Sequence, residues 1–411
     1  MNQKIFIQIA SYRDSELIPT IQDCVCKADN KEDLVFSIAW QNCEDEIKKV
    51  QPLLDSLKRE VTIKEISIPW EKSKGACWAR NQLQQQYDGE EYTLHLDSHH
   101  RFSPGWDTYL KEQLSNLIDA GYEKPLLTAY VNAYSAKEED KEYVGSCGSI
   151  DHLKHEPTEL KLRNFSYGGI PNLKSPYIRD FKNFDLPVMG YLYSGHFCFT
   201  LGRFSEEVQH DPELYFLGEE SSIALRAYTH GYDIFHPIRN VIWHAYSRTY
   251  RGSRHWDDHD EWTELDRKSI HRCKVLFGVE DSEIDFGIYG LGDERTREDY
   301  FRESGFDYDM GCELLKNGKF LYNTIMSVTE DTLGTHSVDD VDFICCAIHS
   351  EDMTELQRVD VRRGTHKELW QSGWCQVDFE FETDKTPTKC VTWPCLKNGD
   401  WVYRQESEFT G

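Results

Sequence analysis

The run Thr93-Leu94-His95-Leu96-Asp97-Ser98-His99 carries the sharpest chemical signal in the chain. Its alternation reads as a strand, and a strand repeats every two residues. Asp97 and His99 are then expected to point one way and Ser98 the other. A carboxylate oxygen and an imidazole nitrogen at that spacing can bind one divalent ion, with a nucleotide diphosphate completing its coordination. Imidazole is a softer ligand than an oxygen donor, so the mixed set suits manganese better than magnesium, with magnesium still open. A cation there would act as a Lewis acid on a leaving diphosphate. The competing explanation is a chance pattern in which Asp97 caps the helix that follows.

A second apolar run, Asn240-Val241-Ile242-Trp243-His244, also ends in a histidine and offers a third ligand. Arg248, Arg251 and Arg254 follow it, and guanidinium groups pair well with phosphate oxygens. The cluster stands out against the acidic background; the competing explanation is a solvated loop whose arginines pair with Asp257, Asp258 and Asp260. Gly218-Glu219-Glu220 stands before a helical stretch. Carboxylates there either complement the helix dipole or, at a crevice, orient sugar hydroxyls and move protons.

These segments need a scaffold that gathers them. Residues 5–10, 35–40, 61–68, 92–97 and 125–131 read as strands, and residues 16–28, 46–59, 76–87 and 106–120 as helices. That alternation predicts a parallel, doubly wound α/β sheet. Ligands bind such sheets at the carboxyl ends of the strands. The chemistry is therefore expected at residues 11–14, at Gln41 and Asn42, and at residues 97–100. A strand at 197–201, a helix at 223–230, a strand at 233–243 and a closing helix at 267–277 complete the core. Residues 135–186 read as irregular, either a flap near an acceptor or a surface insertion. Beyond about residue 330 the pattern changes to strands at 341–348, 374–381 and 401–403. The expected division is a catalytic domain at 1–325 and a small β-rich C-terminal module at 326–411.

Composition narrows the function. Lys plus Arg is 46 against 72 for Asp plus Glu, a net charge of −26. Such a surface repels phosphate backbones, which disfavours nucleic acid and anionic membranes as partners without forbidding a nucleotide in a basic cleft. The 13 cysteines include no C-x-x-C pair and read as buried, reduced thiols of a cytosolic protein. The N-terminal run lacks the apolar stretch of a signal peptide, and no window of ~18 apolar residues would span a membrane. A cytoplasmic location is expected.

The sequence Gly75-Ala76-Cys77-Trp78-Ala79-Arg80-Asn81, followed by Leu94 to His99, resembles the polypeptide GalNAc-transferases. A fuller likeness is to the cytoplasmic GlcNAc-transferases that modify hydroxyproline on the F-box adaptor of SCF ubiquitin ligases. It rests on I-x-I-A-S-Y-R-D at residues 7–14, W-x-x-N-x-x-x-x-x-Y at 78–87, D-x-H-x-R-F at 97–102, and the pair Trp243-His244. The resemblance implies a GT-A fold, a UDP-sugar donor and a retaining outcome. It implies that Asp97, His99 and His244 hold the metal, that Ser11, Tyr12 and Arg13 line the uridine side, and that Arg80 lies near the diphosphate. It also implies that Gly195 and His196 contact the transferred sugar, with Glu219 and Glu220 where sugar and acceptor meet.

Three readings follow. The first is a metal-dependent, retaining transferase that moves a sugar, GlcNAc from UDP-GlcNAc, to a hydroxyl on a protein or glycan. The second is a transferase acting on hydroxymethylated bases of phage DNA. The third is a non-catalytic protein that binds a sugar nucleotide or a glycan.

Overall fold

The computed structural model describes residues 3–136, 150–166, 168–247, 250 and 253–409, and falls into two compact units. The first comprises Met1–Lys161 and Leu173–Tyr300, and the second Leu162–Asn172 and Phe301–Gly411. The boundary expected at 325 falls inside a strand of the second unit, Phe320–Thr329.

In chain order the strands of the first part are β1 (Ile5–Tyr12), β2 (Leu34–Asn42), β3 (Thr62–Pro69), β4 (Tyr92–Asp97), β5 (His100–Phe102) and β6 (Pro125–Thr128). Then come β7 (Lys161–Phe165), β8 (Pro171–Lys174), β9 (Val188–Gly190), β10 (Phe197–Leu201), β11 (Asp233–His236) and β12 (Ile242–His244). Eight of them form one sheet in the order β3-β2-β1-β4-β10-β6-β11-β9. Every residue of β2 is buried, as befits a central strand covered on both faces. Helices Leu17–Lys27, Glu44–Leu57, Ala76–Gln84 and Trp106–Asp119 connect the early strands. Trp106 is fully buried, and its indole N–H donates to the carbonyl of Cys24 at 3.0 Å. Truncating such a side chain to alanine costs about 3–5 kcal/mol.

The expected parallel, doubly wound sheet is rich in parallel pairs but mixed. Strands β1 to β4 pair in parallel, but β10 runs antiparallel to both β4 and β6. The physical reason is where the chain re-enters. It leaves β6 at the carboxyl end of β4 and returns at that same end, so β10 must run back down. Its first residue, Phe197, pairs with Leu96, which sets Gly195 and His196 beside the end of β4.

Other expectations also shift. The strand foreseen at 233–243 is two strands, β11 and β12, separated by a stretch containing Pro237, which has no N–H to give to a ladder. The strand foreseen at 125–131 stops at Thr128, and the helix foreseen at 223–230 begins at Glu219. The irregular region 135–186 contains the β7–β8 ribbon.

The second unit holds β13 (Phe306–Asp307), β14 (Cys312–Leu314), β15 (Phe320–Thr329), β16 (Val341–Ser350), β17 (Glu355–Arg362), β18 (Trp374–Thr383), β19 (Pro387–Leu396) and β20 (Gln405–Glu408). They form two antiparallel four-stranded sheets, β13-β14-β15-β18 and β17-β16-β19-β20. Tyr322, Val328, Ile344, Cys346, Val377 and Phe379 from both sheets share one core. Residues 401–403 are not a strand. Trp401 makes only an isolated bridge to Cys395, and Tyr403 takes a φ of 50°.

Among the described residues, no helix is long and apolar enough to cross a membrane. The described cysteines are free and mostly buried except Cys26, which is exposed and disulfide-bonded, against the expectation of reduced thiols throughout.

Candidate active site

Asp97 is the last residue of β4, and the chain turns there before β5. In β5 and β12, His100 pairs with His244, Arg101 with Trp243 and Phe102 with Ile242. This small antiparallel sheet carries His244 to the end of β4. Ligand-type atoms of Asp97, His99 and His244 all lie within 4.8 Å of one another. Asp97 Oδ2 is 3.3 Å from His244 Nε2 and 3.7 Å from His99 Nε2. Ligands held about 2.0–2.2 Å from one cation sit roughly 3 Å apart, so this donor set fits a divalent ion with little movement.

The orientation of His99 has a different origin from the strand alternation expected. Ser98 does not point away. Its hydroxyl donates to Asp14 Oδ2 at 2.6 Å, the same oxygen that His99 Nδ1 meets at 2.8 Å. A carboxylate only accepts, so Nδ1 carries a hydrogen toward Asp14, and the ring turns Nε2 toward Asp97. Asp14 is buried on the segment after β1, inside the stretch 11–14 where chemistry was expected, although support of a ligating histidine was not foreseen for it. Its only signal there was its place in a polar stretch after a strand.

Arg80, on the helix Ala76–Gln84, divides its guanidinium between two carboxylates. Nη2 donates to Asp97 Oδ1 at 2.7 Å, and Nη1 donates to Glu219 Oε1. Burial would raise the Asp97 pKa, but the hydrogen bond from His244 and the charge of Arg80 hold it well below the usual carboxylate range. Glu219 likewise stays low, the Arg80 charge outweighing burial. Glu219 and Glu220 open the helix Glu219–Thr229. Glu220 accepts from the Gly195 amide at 2.7 Å and from the Tyr130 hydroxyl at 2.5 Å. Burial, aided by the Glu219 charge, pushes its pKa up to about 7. Gly195 in turn offers its carbonyl to His95 Nε2 at 3.0 Å.

His196 is buried and stacks on His244, with ring centroids 4.2 Å apart. The Tyr246 hydroxyl lies 3.3 Å from His196 Nε2. Tyr130 and Tyr246 were missed because a lone tyrosine gives no pattern.

In front of Asp97 opens a cleft of about 740 Å³, including its mouth. Asp97, His99 and Arg80 line one side, and Tyr12, Gln41, Tyr215, Phe216, His255 and Trp256 line the rest. Tyr215 OH and His255 Nδ1 are 2.8 Å apart, and His255 stacks on His259 at 4.0 Å. The cleft thus has a polar side bearing the Asp97 and His99 candidate ligands and an aromatic wall, which suits a charged group joined to a planar base. Gly75 takes a φ of +107°, and a Cβ there would come within 2.7 Å of the Tyr215 ring. Only glycine allows the backbone to approach the wall so closely.

The other residues singled out from the sequence are placed as follows. Ser11 is fully buried, its carbonyl accepting from Gln41 Nε2 at 3.3 Å. Tyr12 lines the cleft, and its hydroxyl donates to Asp258 Oδ2 at 2.8 Å. Arg13 takes a φ of 47° and pairs with the same oxygen at 2.9 Å. Arg254 lines the cleft while paired with Asp257 at 2.8 Å, one of the partners foreseen for it. Arg248 and Arg251 lie outside the described residues.

A family model described as Glycosyltransferase (GlcNAc) matches residues 4–62 and 48–309. The chain belongs to that glycosyltransferase family. No curated protein matches it in sequence. Among solved structures, a crystal structure of GalNAc-T7 with UDP, GalNAc and Mn2+ is similar at 13% identity and a TM-score of 0.51, over 99% of this chain and 72% of the other. The S. aureus TarS 1–349 structure is similar at 12% identity and a TM-score of 0.40, over 73% of this chain and 70% of the other. The fold is that of GT-A glycosyltransferases, a mixed α/β sheet domain with small antiparallel sheets toward the C-terminus. Within this family the chain is an enzyme of the transferase class.

Proposed function

We propose that this glycosyltransferase takes GlcNAc from UDP-GlcNAc and passes it, with retention, to a hydroxyl on a protein or glycan, using a divalent ion, manganese by preference. The observation that carries the reading is the meeting of Asp97, His99 and His244 on the ionic side of a cleft whose other side is aromatic. The donor set of one carboxylate and two imidazoles fits manganese. Such an ion supplies Lewis-acid stabilisation to a leaving diphosphate. The family name and the similarity to a structure holding UDP and Mn2+ support the choice of donor and metal.

The chain's own residues divide the remaining work. Tyr12, Tyr215, His255 and Trp256 form the surface on which the uracil rests. Arg80 stays charged between Glu219 and Asp97 and faces the diphosphate from the cleft wall. Glu220, anchored by Gly195 and Tyr130, holds a proton near neutral pH and orients a hydroxyl of the sugar or the acceptor. His196, packed on His244, keeps the third ligand's ring in place. The free, mostly buried thiols among the described residues fit a reducing cytoplasm, whereas the disulfide at Cys26 fits an oxidising compartment.

The test is a screen of UDP-sugars for manganese-dependent hydrolysis, read by mass spectrometry. UDP-GlcNAc should be consumed, and Asp97→Ala and His99→Ala should abolish its turnover. Normal hydrolysis by both variants would refute the reading.

A further inference from the structure

Behind the ion-binding side lies a second buried group that the proposed chemistry does not use. His95 sits two residues before Asp97 on β4, and His210 lies between the helices Phe204–Glu207 and Glu219–Thr229. Their rings are 4.8 Å apart, and with Glu219 they have the residue types and spacing of a cation site. Their hydrogen bonds assign them to other work. Glu219 Oε1 already meets Arg80 Nη1 and, at 3.0 Å, His210 Nε2. The guanidinium supplies the positive charge that a cation would bring, and a second one beside it would be repelled.

His210 is itself fixed. Gln84 Oε1 accepts from its backbone amide at 2.7 Å and lies 3.3 Å from its Nδ1. Because the Glu219 carboxylate only accepts, the bond to it puts the hydrogen on Nε2. A buried chain therefore runs from Gln84 through His210, Glu219 and Arg80 to Asp97. Its last link divides the two oxygens of Asp97. Oδ1 takes Arg80, and Oδ2 is left facing His99 and His244. An arginine released from one carboxylate closes on the other with both nitrogens. If Glu219 swung away, Arg80 would claim both oxygens of Asp97.

We infer that His210 is a positioning residue: it locks Glu219, which keeps Arg80 off the oxygen that Asp97 presents to the metal. This rests on the reading that Asp97, His99 and His244 hold a divalent ion, and it adds a residue that touches neither metal nor donor.

The test compares wild type, His210→Phe and His210→Gln by manganese calorimetry with UDP present, by thermal unfolding, and by the manganese dependence of donor hydrolysis. His210→Phe removes the donor and keeps an aromatic ring of similar size. It should weaken manganese binding about tenfold, the loss typical of a residue supporting a ligand from behind. His210→Gln can donate from its amide and should recover most of that affinity. Wild-type manganese affinity in His210→Phe, or equal losses in the two variants, would overturn the inference. If His210→Phe does not fold, Glu219→Gln serves instead. It keeps the shape, removes the charge that holds Arg80 back, and should also weaken manganese binding; unchanged affinity there overturns the inference too. Failure of the wild type to bind manganese would bring down the metal reading itself, a result distinct from a wild type that binds and a variant that matches it.

Discussion

Asp14 Oδ2 lies 2.8 Å from His99 Nδ1, and that contact decides which nitrogen His99 presents to a cation. Removing the carboxylate's charge weakens this control. Asp14→Asn is expected to lower manganese affinity by about 10- to 100-fold, the usual penalty for losing a hydrogen-bonded partner of a ligating histidine. Calorimetry with UDP present measures it. Unchanged affinity would mean that His99 is oriented by packing alone.

Arg80 is 5% exposed and compensates two carboxylates at once. Arg80→Met leaves Glu219 buried with an uncompensated charge, and breaking a buried pair in this way costs about 3–5 kcal/mol. Arg80→Lys should recover only part, because an ammonium cannot span both partners as a planar fork does. Urea denaturation at constant slope gives the comparison. A loss below about 1 kcal/mol in Arg80→Met would show the cluster to be well solvated.

Glu220 predicts a pH dependence of stability. Its pKa rises from 4.5 to about 7 on folding. Between those values the folded protein keeps a proton that the unfolded chain has released, so stability falls as pH rises. The contribution is whole below about pH 4.5 and lost above about pH 7. Glu220→Gln cannot titrate and should gain stability relative to wild type between about pH 5 and 7.5. Parallel urea midpoints for the two proteins across that range would contradict the shift.

Gly75→Ala places a methyl group against the Tyr215 ring at a backbone φ of +107°. The strain costs about 1–3 kcal/mol. The displaced ring also deforms the aromatic wall, so the Kd for UDP should rise several-fold. Titration with UDP checks this, and wild-type affinity would mean that Tyr215 does not contact the base.

The strand ends bearing chemistry were readable because an apolar run that stops at Asp97 or His244 marks both an element and its exit. The pairing of Asp97 with His99 was also readable, though for another reason. Strand alternation does not extend past Asp97, and Asp14 does the orienting instead. The direction of β10 was not legible, since it depends on which end of the sheet the chain returns to. Tyr130 and His210 escaped notice, and Asp14 was placed only within the stretch 11–14, because each matters through a partner far away in sequence, and a single polar residue has no period. The division expected at 325 lies beyond the passage from Tyr300 to Phe301 where the compact units meet in sequence, because the change from α/β to β patterning lags behind the helix Arg297–Ser304.

His244 reaches Asp97 across 147 positions of sequence, and it does so only once β12 has zipped against β5. A chain still lacking that ribbon would offer two of the three proposed ligands, and two bind far more weakly than three. On the proposed metal reading, tight ion binding would then report that β12 has closed against β5 at the end of β4. Loading with ion and nucleotide would also pull the equilibrium toward the closed chain by mass action, adding about 2.7 kcal/mol of resistance to unfolding when ligand stands at 100 times its Kd.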